Sequence, residues 1–338
     1  MTIPPEDRSV IAPAPLSGEE PEDAGLRPGT FDDFVGQDPV RNNLRVAITA
    51  ARQRKEAVDH ILFSGMPGLG KTTLAHIVAR EMGTQMVTTS GPVIDRPGDL
   101  AGILSSLGEG DVLFIDEIHR LNRNVEEYLY SAMEDFRIDI LLDQGPNARS
   151  VNLELKPFTL VGATTREGLV AGPLRSRFGV LEKLELYPWE DLAKIIRRSA
   201  GILKIGLEDA ATEVISRRSR GVPRIANRFL RRVRDLAQVK REKRVSADIA
   251  REALGMLGVD ENGLVATDRK ILEILARRAG EPVGLKAIAL TVGEEEDTIE
   301  EVYEPYLMIQ GYLDRTPRGR AATPRTMALF PGSGKGLF

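Results

Sequence analysis

The chain has 338 residues, of which 42% are hydrophobic and 28% charged, with a formal net charge of −4. This length allows two or three domains, and no apolar stretch approaches the ~18 residues of a membrane span. The absence of cysteine excludes disulfides, thiolate zinc sites and a cysteine nucleophile, and three histidines are too few for a histidine metal cluster. Since the N-terminus also lacks a signal-peptide pattern, we expect a soluble, cytoplasmic protein.

The charge is distributed unevenly along the chain. Residues 1–187 carry a net charge of −9 and residues 259–338 a net charge of −3, whereas residues 188–258 carry +8. Within the acidic last part, the segment 314–335 is locally basic. Because polyanions bind to local patches, the negative total does not exclude nucleic acid as a partner.

The chain begins with a polar segment and continues with an alternating α/β pattern. Residues 1–25 are rich in Pro, Glu and Asp, which predicts disorder. From about residue 31 to 187, continuous apolar runs alternate with helical patterns, as in a parallel sheet covered by helices on both faces. The predicted strands are Ile61–Gly65, Met86–Ser90, Val112–Ile118, Thr159–Thr165 and Leu181–Tyr187.

The first of these strands leads into a phosphate-binding motif. Gly65–Thr72 reads Gly-Met-Pro-Gly-Leu-Gly-Lys-Thr, which fits G-x-x-x-x-G-K-[ST], and an apolar-periodic helix follows. The glycines let backbone N–H groups point at phosphate oxygens at a helix N-terminus. Lys71 is then expected to reach the outer phosphates and Thr72 to bind magnesium. A mere Gly-rich turn would not require this strand and helix.

Two carboxylates end the third predicted strand. Val112–Glu117 is an apolar run closed by Asp116 and Glu117, at the edge of a parallel sheet where ligands bind. We expect Asp116 to hold magnesium through water and Glu117 to polarise the attacking water. Acidic residues that merely cap the next helix are the alternative, which the phosphate loop earlier in the chain disfavours.

Residues 136–158 form an insertion with its own pattern. Apolar residues alternate with polar ones on both sides of Gln144–Asn147, which predicts a β-hairpin. Such a hairpin exposes an apolar face unless another surface covers it. That cover is either a partner protein or the hairpin's own domain.

Further polar residues follow the hairpin. Thr164 ends a predicted strand, where its hydroxyl could orient the water beside Asp116. Arg175 and Arg177 follow a Gly-Pro turn, where a guanidinium could stabilise charge on the phosphate of a neighbouring subunit. Arg224 opens a helix in an all-helical block and could reach the phosphates from a lid.

The C-terminal part predicts a winged helix. Residues 268–278, 284–291 and 296–310 have helical patterns, and a basic segment punctuated by Pro and Gly follows them. Three helices and a short β-wing describe this fold. Arg315 and Arg320 in the wing are candidate contacts to DNA phosphates.

The ordered motifs together resemble the AAA+ superfamily and, within it, the RuvB family of branch-migration motors, over about residues 26–330. The segments that carry the resemblance are Phe31–Gln37, Gly65–Thr73, Phe114–Arg120, Gly162–Arg166, Pro173–Gly179, Gly221–Asn227, Tyr303–Leu307 and Arg315–Arg320. It implies an α/β fold in three parts: an AAA+ P-loop core with a five-stranded parallel sheet over 26–187, an all-helical lid over 188–258 and a winged-helix domain over 259–338.

The resemblance also implies a role for individual residues toward ATP and Mg²⁺. The catalytic ones would be Glu117, the γ-phosphate sensor Thr164 and the trans-acting arginine finger Arg177, and Thr72 and Asp116 would position the metal. The remaining nucleotide contacts would be Leu26, Arg27, Gly68, Gly70, Lys71, Thr73, Glu134, Asp135, Phe136, Tyr187 and the lid sensor Arg224.

At the level of function, the resemblance implies an ATP-dependent translocase on duplex DNA that drives branch migration of Holliday junctions in recombination, DNA repair and the SOS response. It implies a homo-hexameric ring, RuvA as partner through the hairpin 136–158, and the junction resolvase RuvC. An ATP-switched DNA-binding module, such as a replication initiator, is the alternative from another class. A clamp-loader subunit is a third option, which the winged helix disfavours.

Overall fold

The structure is a computed structural model that describes residues 25–141, 150–278 and 280–331. Residues 1–24 of the segment predicted to be disordered lie outside the described residues, as do residues 142–149 at the tip of the predicted hairpin. Among the described residues, no helix is both long enough and apolar enough to cross a membrane.

A five-stranded parallel sheet forms the centre of the N-terminal part. Its strands are β1 (Ile61–Ser64), β2 (Met86–Ser90), β3 (Val112–Asp116), β6 (Thr159–Thr164) and β7 (Val180–Lys183), and their order in the sheet is β2-β3-β6-β1-β7. The sheet predicted from the sequence is confirmed. The third strand ends at Asp116, before the predicted Ile118, because Glu117 has a φ of 50° and turns the chain out of the sheet.

Helices cover both faces of this sheet. They are α1 (Asp38–Arg54), α2 (Lys71–Met82), α3 (Pro97–Ser105), α4 (Arg123–Asp135) and α5 (Gly172–Arg175), with short 3-10 turns at Gly91–Val93, Ile118–Arg120 and Glu167–Leu169. One hydrophobic core packs α1 and α2 on the sheet, and a second packs α3 and α4 on its other face. Burial on both faces accounts for the uninterrupted apolar strands.

The predicted hairpin is present, as the antiparallel strands β4 (Arg137–Leu141) and β5 (Ser150–Glu154). Ile138 is fully buried in the second hydrophobic core, and Leu153 and Leu155 pack against the same core. The base of the hairpin is therefore covered by its own domain. This is one of the two alternatives left open by the sequence, the other being a partner protein.

Four helices form the lid: α6 (Trp189–Ile202), α7 (Asp209–Arg218), α8 (Pro223–Val239) and α9 (Ala247–Met256). Pro223 occupies the first turn of α8, where its missing N–H has no cost. The core on the α1 and α2 side of the sheet continues without interruption into the lid through Phe229 and Leu230. The lid thus packs beside the phosphate loop.

The last part is the predicted winged helix, with its own hydrophobic core. Its elements are α10 (Ala266–Arg277), α11 (Leu285–Val292), α12 (Glu296–Thr298), a π-helical turn (Ile299–Tyr303), α13 (Glu304–Ile309), the wing strands β8 (Leu313–Thr316) and β9 (Gly319–Ala322), and α14 (Pro324–Leu329). The helix predicted as continuous over 296–310 contains the π turn because Pro305 cannot donate a backbone hydrogen bond to the preceding turn.

Candidate active site

A cavity of about 490 Å³ opens at the carboxyl ends of the parallel strands, between the sheet and the lid. This is where open α/β sheets bind ligands. Of the residues selected from the sequence, eleven line it: Leu26, Arg27, Gly68, Gly70, Lys71, Thr72, Thr73, Asp116, Glu117, Tyr187 and Arg224. Residues far apart in the sequence therefore converge on one site.

The phosphate loop forms one wall of the cavity. Gly68 and Gly70 have φ values of +81° and +109°, and a Cβ at Gly68 would lie 2.9 Å from the Arg224 side chain. Glycine is therefore needed both for the backbone conformation and for the approach of the lid. The loop ends where α2 begins at Lys71, so that helix N–H groups face the cavity.

Lys71 lies almost fully buried at the end of this loop. Its Nζ donates to the backbone oxygens of Gly65 at 2.7 Å and Met66 at 3.0 Å. Burial lowers the pKa of Lys71 to about 8, although the negative charges of Asp116 and Glu117 act to raise it. A bound phosphate would add negative charge and raise this pKa again. The side chain is thus held beside the place where phosphates would bind.

The two acids stand opposite the loop. The backbone N–H of Glu117 donates to Asp116 Oδ1 at 3.0 Å, which orients the Asp116 carboxylate against the backbone of Glu117. Burial, with the nearby charge of Asp116, raises the pKa of Glu117. A carboxylate with a raised pKa is a stronger base toward water.

The two threonines at the end of β6 differ in their surroundings. Thr164 is fully buried, does not line the cavity, and has its hydroxyl within 2.9 Å of His119 Nδ1. Thr165 lines the cavity, and its Oγ1 is buried without a hydrogen-bond partner. A buried hydroxyl with no partner in the protein is free to donate to a group bound in the cavity. The geometry therefore favours Thr165 over the sequence choice, Thr164, as the residue facing a phosphate.

His119 was not selected from the sequence. Its ring is almost fully buried, and its Nε2 lies 3.5 Å from Glu117 Oε2. Burial lowers the pKa of His119, which favours the neutral form of the ring. In the sequence, only its position two residues after Glu117 pointed to a role in the site. Its imidazole contact with Thr164, at the end of β6, could not be predicted from that position.

Arg177 is not among the residues that line the cavity of its own chain. Its Nη1 donates to the Pro173 oxygen at 2.7 Å, its Nη2 lies 3.1 Å from Glu134 Oε2, and its guanidinium stacks on Tyr130 at 4.6 Å. Its Nε is buried and has no hydrogen-bond partner. The arginine is thus oriented by its own subunit without reaching its own nucleotide cavity.

Three residues expected at the nucleotide are found elsewhere. Glu134 and Asp135 end α4 and Phe136 directly follows it, and none of the three is among the residues that line the cavity. Glu134 holds Arg177, whereas the Phe136 ring packs against Phe158 with ring centres 5.9 Å apart. Glu134 thus supports the arginine, and Phe136 packs at the base of the hairpin.

The far end of the cavity is closed by the N-terminal segment and the lid. The Tyr187 hydroxyl donates to the Leu69 oxygen at 3.2 Å, and Arg198 Nη1 donates to the Leu26 oxygen at 2.8 Å. Arg198 was not selected from the sequence, where it is one of many arginines in a basic block. The backbone N–H of Arg224 donates to the Gly68 oxygen at 3.4 Å, so the lid contacts the phosphate loop directly.

The two wing arginines form a cross-strand pair in the β8–β9 register, with Glu300 between them. Glu300 Oε1 accepts from Arg315 Nη2 at 2.9 Å and from Arg320 Nη2 at 2.7 Å. Arg320 also bonds to the buried Glu304 and is itself 7% exposed, whereas the Arg315 side chain is 56% exposed. The expected surface role of Arg320 therefore does not fit this conformation, whereas Arg315 is available to a ligand.

The parallel sheet, the phosphate loop, the paired acids and the helical lid define an ATPase of the AAA+ class. Three family models match consecutive parts of the chain: the Holliday junction DNA helicase RuvB P-loop domain over residues 26–184, the RuvB AAA lid domain over 187–260 and the RuvB C-terminal winged helix domain over 261–330. The chain belongs to the RuvB family.

Individual relatives agree with this assignment. The Holliday junction branch migration complex subunit RuvB of Prosthecochloris aestuarii is 57% identical over 325 residues, which are 95% of each chain. That of Chlorobaculum tepidum is 59% identical over 322 residues, covering 95% of this chain and 94% of the relative. The solved structure of the Thermotoga maritima RuvB Holliday junction branch migration motor is 50% identical, with a TM-score of 0.83 over 90% of this chain and 98% of that one.

Proposed function

We propose that the protein is an ATP-driven motor on duplex DNA that promotes branch migration of Holliday junctions during recombination and repair. The convergence of Lys71, Thr72, Asp116 and Glu117 on one cavity carries the ATPase part of this proposal. Membership of the RuvB family, whose named members are branch migration complex subunits, supports the DNA part.

The cavity residues fit magnesium-bound ATP. The N-terminal amides of α2 and Lys71 would bind phosphate oxygens, and Thr72 with Asp116 offers the oxygen donors that magnesium prefers. Thr165 would donate its unpartnered hydroxyl to the terminal phosphate. When bound, magnesium would neutralise charge on the phosphates. Glu117 would take up the proton of the attacking water.

The position of Arg177 supports an assembly in which sites are completed between subunits. An arginine that is held by Glu134 and lies away from its own cavity can act on the nucleotide of a neighbour. Repeated head-to-tail contacts of this kind generate a ring when the rotation between subunits closes, and we propose a homo-hexamer around duplex DNA. Lid residue Arg224 would contact the phosphates from within the same subunit.

The partners follow from the same family assignment. We propose that RuvA binds the hairpin 136–158 through the part beyond its packed base, and that the resolvase RuvC acts on the same junction. A cytoplasmic location would be consistent with DNA as the substrate. The domains would comprise residues 26–187, 188–258 and 259–338.

Junction DNA and RuvA provide the test of this function. We expect RuvA together with a synthetic four-way junction to raise the steady-state ATPase rate several-fold and to convert the junction into two duplexes. Lys71→Ala, which should weaken ATP binding, serves as the inactive control. An ATPase indifferent to DNA and RuvA, with no junction conversion, would instead indicate a switch of the replication-initiator kind.

The wing arginines are expected to separate into a DNA contact and a structural residue. Arg315→Ala should weaken binding alike for unrelated duplexes and flatten the slope of log affinity against log salt by about one, because one phosphate contact releases about one counterion. Arg320→Ala breaks a buried ion pair and should lower the free energy of unfolding by about 3–5 kcal/mol.

Affinity measured at several salt concentrations, and unfolding followed by denaturant titration, check these two outcomes. Arg277→Ala, an exposed arginine in the same domain that pairs with Glu273, is the control for both. An unchanged salt slope for Arg315→Ala would show that Arg315 does not contact DNA phosphates. A stable Arg320→Ala protein with a flattened slope would show that Arg320 does contact them.

A further inference from the structure

Arg166 joins the ATPase domain to the winged-helix domain. It directly follows Thr165 at the end of β6, and its Nε lies 2.5 Å from Glu301 Oε1 and its Nη2 3.1 Å from Asp297 Oδ1. Both acids belong to the winged-helix domain. A crevice of about 510 Å³ runs beside this contact, lined by residues of both domains, Thr165 and Glu301 among them. One side chain therefore connects the wing's domain to the strand end that borders the nucleotide cavity.

A series of polar contacts leads from Arg166 to Glu117, the carboxylate assigned to activate water. The backbone N–H of Arg166 donates to Thr164 Oγ1 at 3.0 Å. While its oxygen accepts this hydrogen bond, the Thr164 hydroxyl can donate its own proton to His119 Nδ1, 2.9 Å away. In that arrangement the ring proton of His119 lies on Nε2, which faces Glu117 Oε2 at 3.5 Å. At that distance the last contact is electrostatic and not a full hydrogen bond.

The residues linked by these polar contacts are well placed to transmit a displacement. Thr164 is fully buried and the His119 side chain is 6% exposed, so neither can move without disturbing its neighbours. By contrast, Arg166 and Glu301 are partly exposed. The series of contacts thus has a packed middle, at Thr164 and His119, and a partly exposed end at the contact between the two domains.

The winged-helix domain is also tied to the lid, by a buried pair. Arg220 Nη2 donates to Asp268 Oδ1 at 2.9 Å, and its guanidinium stacks on Tyr306 at 4.3 Å. Asp268 is fully buried and Arg220 nearly so. Because breaking a buried ion pair is costly, the winged-helix domain should follow the lid when the lid moves over a nucleotide.

We infer that Arg166 and His119 are positioning residues, through which the Glu301 side of the winged-helix domain sets the placement of the Glu117 carboxylate. The inference rests on the proposed ATPase function. The domain that contacts DNA and moves with the lid would thereby control the rate of hydrolysis without touching the nucleotide. Removing the Glu301 charge should then lower kcat and leave KM for ATP unchanged, because the phosphate loop keeps its contacts.

A double-mutant cycle on the full-length protein tests this connection. Basal ATP hydrolysis without DNA is measured for the parent, Glu301→Gln, His119→Ala and the double variant. We expect Glu301→Gln to lower kcat about fivefold, within the range of coupling between contacting residues. If its effect passes through His119, it should cause no further loss in the His119→Ala protein. Glu301→Asp, which keeps the charge, should recover part of the loss.

The matched control is Glu296→Gln, the same change at an exposed glutamate one turn earlier, which should leave kcat unchanged. An unchanged kcat for Glu301→Gln, or losses that multiply in the double variant, would overturn the inference while the proposed function stands. A parent protein that hydrolyses no ATP with or without DNA would instead remove the function itself. Thermal unfolding of each variant separates loss of positioning from loss of fold.

Discussion

Replacing Glu117 by glutamine is expected to leave ATP bound and to stop its hydrolysis. The amide keeps the size of the side chain and its place at the end of β3, but it cannot accept a proton from water. General bases contribute about 10²–10⁴-fold to rates, and we expect a loss of kcat in this range. The raised pKa of Glu117, caused by burial and by Asp116, supports its assignment as the base.

Steady-state phosphate release and the affinity for a fluorescent ATP analogue measure the two halves of this prediction. Glu182→Gln is the matched control, because Glu182 is another partly buried acid whose pKa is raised by burial, and it lies outside the cavity. Lys71→Ala should show the opposite pattern, with the affinity itself reduced. Phosphate release by Glu117→Gln at the parent rate would show that another group activates the water.

Replacing Arg177 by alanine is expected to retain nucleotide binding and to lose hydrolysis, by about 10³-fold or more, as for arginine fingers supplied by a neighbour. The physical reason is the position of the guanidinium, which is held by Glu134 and Tyr130 away from its own cavity. Arg175→Ala is the matched control: the same change two residues earlier, at a side chain that pairs with Glu167.

Mixing experiments decide whether Arg177 acts on a neighbour. Arg177→Ala subunits have an intact Glu117, and Glu117→Gln subunits have an intact Arg177, so mixed rings contain interfaces with both parent residues. We expect part of the hydrolysis to return on mixing, once native mass spectrometry shows that mixed rings form. If mixed rings form and no ratio restores turnover, Arg177 does not act in trans.

Features encoded by contiguous residues were predictable. The phosphate loop needs a strand, glycines able to take positive φ and a helix start, and all three lie within Ile61–Lys71. Apolar periodicity likewise located the five strands, the hairpin and the winged helix, because burial on both faces or on one face leaves different patterns. Boundaries were less accurate where a single residue turned the chain, as Glu117 does, or where Pro305 interrupted a helix.

Features that depend on contacts between distant segments required the tertiary structure. Thr164 and Thr165 are equivalent in the sequence, and only packing decided that Thr164 meets His119 while Thr165 faces the cavity. The basic character of the segment 314–335 could not show that Arg320 is buried against Glu304, since the exposure of a side chain depends on what the fold places beside it.

The sequence by itself thus determined the class of fold, the phosphate loop and the acids at the strand end. Each of these features is encoded by residues that are neighbours in the chain, so its backbone geometry and burial pattern depend on local sequence. Tertiary structure alone decided which hydroxyl faces the cavity, which arginine lies outside the cavity of its own chain, and that Arg166 meets Glu301. These are choices among chemically similar side chains. Their distances and burial are fixed only when segments far apart in the chain pack together.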